Sequence, residues 1–99
     1  MGNTQLAKEM INKYGENAQL DIVVEELSEL IKEVIKYKRT NTHGELYELE
    51  HMAEELADAY VVLDIVQAVL DTKGITSEDV EKIIDYKKSR TRKRYLDKK

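Results

Sequence analysis

No proline interrupts this chain, and its glycines fall at only four places, Gly2, Gly15, Gly44 and Gly74. Proline breaks a helix most strongly and glycine next, by removing a donor or by adding backbone freedom. A 99-residue chain with so few breaks and 36% charged residues favours helix throughout. The expectation is a single all-α domain over residues 1–99, a four- to five-helix bundle.

Apolar spacing places the helices. Leu6, Met10 and Tyr14 recur every four residues, with Ala7 and Ile11 beside them, so a first helix is expected from about Thr4 to Tyr14. Asn3 or Thr4 can cap it, and Gly15 ends it. A second helix is expected from about Ala18 to Arg39. Its stripe of Leu20, Val23, Val24, Leu27, Leu30, Ile31, Val34 and Ile35 covers roughly 140° of the wheel. Glu25, Glu29 and Glu33 lie opposite that stripe, with Glu26 at its edge. Residues 40–44 read as a loop. A third helix follows from about Gly44 to Thr72, and a fourth from Thr76-Ser77-Glu78-Asp79, a hydroxyl cap followed by first-turn acids, to about Tyr95.

Residues 60–70 are apolar on nearly every side, broken only by Asp64 and Gln67. Such a segment must be covered all round, and a chain this short has little interior to cover it. A subunit interface in a homodimer or homotetramer is expected there, against the alternative of a central helix wrapped by the others.

The chain holds no cysteine, which excludes disulfides and thiolate metal sites. No signal peptide and no membrane-length apolar run is visible, so a cytoplasmic protein without a membrane partner is the expectation. The net charge of −4 hides an asymmetry: eight Lys or Arg and one acid lie from Tyr86 onward, against eight and nineteen before it. The basic tail binds an anion or neutralises the acidic body.

Two acidic clusters carry the chemistry. Glu26 and Glu29, and again Glu55 and Asp58, stand three residues apart, about one helical turn on one side. Four carboxylates meeting between two antiparallel helices repel one another unless a cation sits among them. Hard oxygen ligands suit Mg²⁺, with Mn²⁺ as the alternative. Each pair alone is ordinary on a charged helix surface. Asp58, however, precedes the most apolar stretch, and Glu26 abuts the stripe of the second helix. Both are therefore expected to be partly buried, which demands a partner.

The run Glu25-Glu26-x-x-Glu29, the spacer, and Glu55-x-x-Asp58 resemble the EExxE…ExxD signature of the all-α nucleoside triphosphate pyrophosphohydrolases, the MazG-like superfamily. Residues 25–39 are similar to the second helix of small phage-type and Firmicute members, and Lys87-x-x-Arg90-x-x-x-Arg94 to their basic C-terminal pattern. The likeness covers about three quarters of the chain, from Gln19 onward. It implies an oligomeric bundle that hydrolyses a (d)NTP at the α–β linkage with Mg²⁺. It also implies Glu26, Glu29, Glu55 and Asp58 as ligands and a catalytic role for Glu25 and Glu26, Glu25 as the water-orienting group. Lys36, Arg39, Lys87, Arg90 and Arg94 become candidates for the phosphates, Arg suiting bidentate contact.

For the base, Tyr14, Tyr37, Tyr47 and Tyr60 could stack, and Gln19 or Asn17 could hydrogen-bond an edge, though the tyrosines serve equally as core or rim. His43 and His51 read as solvated positions. Asp64 faces either the same cleft or an interface. Two other classes compete: a helical interaction or regulatory protein without activity, and a nucleic-acid binder using the basic tail. The acidic body and the absence of a groove-reading motif count against the latter.

Overall fold

The computed structural model describes residues 3–40 and 46–97. Among them it has four helices and no strand: α1 (Gln5–Tyr14), α2 (Glu16–Thr40), α3 (Leu46–Asp71) and α4 (Ser77–Tyr95). The expected all-helical class holds, and the helix ends agree with their capping chemistry. The expected loop at 40–44, with His43 and Gly44, lies almost wholly outside the described residues.

The chain forms two compact units, Met1–Val69 and Leu70–Lys99. In the first, Asn3 rather than Thr4 caps α1, its Oδ1 accepting from the Gln5 N–H at 2.7 Å. A single residue joins α1 to α2. Gly15 takes φ 95°, where a side chain is strained, and its N–H closes α1 on the Ile11 carbonyl at 2.8 Å. That tight joint folds α1 back against α2.

The core unites three helices. Ala7 of α1, Val23 of α2, and Val62, Ile65 and Ala68 of α3 are buried together, with Ile11, Leu20, Leu27 and Val66 packed against them. Val23 shares this core with Val62 and Ile65, while Glu26, further along α2, meets Glu55 and Asp58, earlier on α3. The two helices are therefore antiparallel.

The wide stripe of α2 is not all core, contrary to expectation. Val24 is 69% exposed and Ile31 59%, and Val34 and Ile35 are also exposed, whereas Glu26, Glu29 and Glu33 are half-buried. The segment 60–70 is split as well. Ala59, Val62, Ile65, Gln67 and Ala68 are covered within the chain, while Tyr60 and Val61 stand out. Among the described residues no helix is long and apolar enough to cross a membrane.

In the second unit the end of α3 turns through Gly74 at φ 81°, with Ile75 N–H reaching the Leu70 carbonyl at 3.0 Å. Thr76 and Asp79 then start α4 with reciprocal bonds. Asp79 N–H donates to Thr76 Oγ1 at 3.2 Å, and Thr76 N–H donates to Asp79 Oδ2 at 2.9 Å. No described residue of α4 is buried.

Candidate functional site

Three of the four expected carboxylates meet; Glu29 is not among them. One carboxylate oxygen each from Glu26 on α2 and from Glu55 and Asp58 on α3 lies within 4.8 Å of the others. Helical spacing sets Glu55 and Asp58 one turn apart, and the antiparallel seam presents Glu26 to both. Glu26 and Glu55 are half-buried, but Asp58, expected to be partly buried, is exposed. Oε2 of Glu55 is buried with no hydrogen-bond partner. Burial holds the Glu55 carboxyl above its ordinary value of 4.5, and the charges of Asp58, Glu26, Glu29 and Glu33 add to the rise, in that order.

An orphaned, electrostatically crowded carboxylate among hard oxygen donors fits a small divalent cation.

The remaining expected site residues divide. Glu29 contributes to the field on Glu55, but its Oε1 also accepts from Lys32 Nζ at 3.3 Å. A lysine thus stands nearer these acids than the sequence suggested. Glu25 is exposed, and its backbone carbonyl accepts from Ser28 Oγ at 2.7 Å. Lys36 pairs with Glu33 at 3.7 Å, and Lys36 and Arg39 line one shallow groove near the end of α2. Lys87, Arg90 and Arg94 are exposed on α4, in the other unit, where Arg90 lies over the Tyr86 ring at 5.8 Å.

Glu33, not among the expected ligands, also belongs to the cluster's field. Its signal was available: it stands seven residues after Glu26 and four after Glu29, on the same side of α2. Asn17 is exposed, and His51 stacks on Tyr47 at 4.4 Å between ring centroids. Gln19, by contrast, is only 3% exposed and lines a cleft with Asp64. None of the four candidate tyrosines is among the described residues lining that cleft.

Comparison with protein-family models, with curated proteins and with solved structures gives no match to this chain.

Proposed function

We propose that this chain is a Mg²⁺-dependent nucleoside triphosphate pyrophosphohydrolase that acts in the cytoplasm in nucleotide-pool housecleaning. The observation that carries the proposal is the convergence of Glu26, Glu55 and Asp58, with the Glu55 oxygen buried and without a donor. The EExxE…ExxD likeness supports it independently of the geometry.

The reaction is hydrolysis at the α–β linkage. Water adds to the α-phosphorus and the bond to the bridging oxygen breaks. A nucleoside monophosphate and pyrophosphate result, and the water's proton passes to a carboxylate or to solvent. Glu26, Glu55 and Asp58 would hold the cation, with Glu29 as the further expected ligand. When bound, the cation supplies charge neutralisation for the polyphosphate and polarises a phosphoryl oxygen. Glu25 takes the role of orienting and deprotonating the water. Lys36 and Arg39 bind phosphate oxygens from α2, and Lys87, Arg90 and Arg94 do so from α4, in their own or a neighbouring subunit's site. Catalysis then rests on placement and charge.

The active form is a homodimer or homotetramer with the 60–70 segment in the interface. Tyr60 and Val61 are the parts of that segment left exposed by the chain's own folding.

A panel of (d)NTPs incubated with Mg²⁺ or Mn²⁺ and assayed for pyrophosphate tests the activity. Metal-dependent release from at least one nucleotide is expected. No release from any member, with either metal, sinks the proposal.

A further inference from the structure

The seam that carries the carboxylates runs on into an apolar cleft. On α2, Ile22 stands one turn before Glu26 and Gln19 one turn before that; on α3, Val61, Val62 and Ile65 follow Asp58 by one and two turns. The cleft has a volume of about 320 Å³, at the small end of the range for ligand sites. Leu6 and Met10 of α1 face Ile22, Val61 and Ile65 across it, so its walls are aliphatic.

Asn3, Gln19 and Asp64 are the polar residues of that lining, and Gln19 is the most buried of them. It is 3% exposed and lines the cleft. A carboxamide offers a donor and an acceptor side by side, which a ligand with the complementary pair on a flat edge would meet. Asp64, half-buried in an otherwise apolar stretch, lines the same cleft and offers a carboxylate acceptor.

We infer that this cleft takes the base of a nucleotide, and that Gln19 and Asp64 select a base carrying an exocyclic amine, as cytosine does, over its keto counterpart, uracil. The inference rests on the nucleotide reading above, since the carboxylate end of the seam is where the phosphates of the same molecule would lie. Glutamine pairs with an adjacent donor and acceptor on a base edge, and a carboxylate accepts from the cytosine amine. The uracil O4 in that position meets the carboxylate with no proton between them. The aliphatic walls sandwich a planar ring without requiring an aromatic side chain.

The test uses the full ¹⁵N-labelled chain titrated by NMR with cytidine and with uridine, nucleosides without phosphate, in the absence of metal. Cytidine is expected to shift the Gln19 side-chain amide, and uridine to bind about tenfold more weakly or worse. Gln19→Met, close in size, is expected to weaken cytidine about tenfold while circular dichroism stays unchanged. Asp64→Asn adds a donor and is expected to narrow or reverse the preference. Unmoved Gln19 resonances, equal binding of the two nucleosides, or an unchanged preference in Asp64→Asn overturns the inference. A productive nucleotide panel with a silent Gln19 amide removes the cleft assignment alone. A responsive amide with a silent panel upholds it and removes hydrolysis alone.

Discussion

The carboxylates of Glu26 and Glu55 face each other within 4.8 Å across the α2–α3 seam, and one Glu55 oxygen is buried there without a donor. A helix pair held only by its own packing places apolar residues along such a seam. Here half-buried Glu26, Glu29 and Glu33 border it, while Val24 and Ile31 point away from the core. Helix α2 thus keeps acids inward and aliphatics outward over part of its length. Each half of that arrangement is unfavourable in an isolated chain; under the proposed function a cation at the seam would relieve the first and an apolar partner surface the second.

Glu55→Gln separates stability from function. The amide cannot ionise, so the repulsion from Asp58 and Glu26 disappears while side-chain size is kept. Without metal the variant is expected to melt no lower than the parent chain. Its thermal shift with Mg²⁺ should vanish, and turnover should fall by about 100-fold or more, the upper end of what a lost supporting group costs. A variant that still responds to Mg²⁺ removes Glu55 from the site.

The raised Glu55 carboxyl also predicts how stability follows pH. Between 4.5 and its raised value, the folded chain holds a proton that the unfolded chain releases. Without metal, this group therefore makes the fold more stable as pH falls through the raised value, and adds nothing further below 4.5. Mg²⁺ competes with that proton, so its affinity falls over the same window. Melting curves in EDTA and in Mg²⁺ should converge toward acid. Curves that stay parallel would contradict the assignment.

Lys32 tunes the same field from outside. Its Nζ lies 3.3 Å from Glu29 Oε1, with both side chains largely in water. Exposed pairs of this kind contribute about 0–1 kcal/mol. Lys32→Met should therefore cost less than about 1 kcal/mol of stability while tightening Mg²⁺ by up to about fivefold, because a screening charge is lost. Isothermal titration reads the affinity directly; weaker binding would place Glu29 outside the metal's field.

The sequence shows the helices plainly because their boundaries are local chemistry: Gly15 and Gly74 at positive φ, and the Thr76–Asp79 capping box. The acidic pairs were legible too, since three-residue spacing and an antiparallel turn leave few ways to avoid a meeting. The facing of α2 was not. Its apolar stripe is wider than one neighbouring helix can cover, so periodicity alone cannot say that Val23 is buried and Val24 exposed. The burial of Gln19 depends on α1 folding back at Gly15, a tertiary event that no spacing within α2 encodes.

Helix α4 is held by local terms, since none of its described residues is buried. Thr76→Ala should weaken it by about 1 kcal/mol, seen as faster amide exchange in its first turn. The Thr76 backbone N–H, and then its hydroxyl, hold the Asp79 carboxyl below its ordinary 3.8. That contribution is present above 3.8 and is lost as pH falls through the lowered value. First-turn protection, taken relative to the intrinsic exchange rate at each pH, should fall in acid for the parent chain and much less for the variant. Equal acid sensitivity would argue that the cap bonds contribute nothing.

The outward aliphatics predict assembly. Val24 is 69% exposed and Tyr60 63% exposed, although each follows a buried residue, Val23 and Ala59. Outward apolar residues on a small helical unit are candidates for contact with another protein surface, and a second copy carries the same faces. Light scattering at micromolar concentration should give at least a dimer mass. Tyr60→Lys should lower that mass if the 60–70 segment forms the interface. Val24→Lys should lower it instead if the outward face of α2 does. Neither substitution touches the buried core, so helicity should be retained. A monomeric mass for the parent chain refutes the assembly, and an unchanged mass in both variants moves the interface to other exposed apolar residues, such as Ile83 on α4.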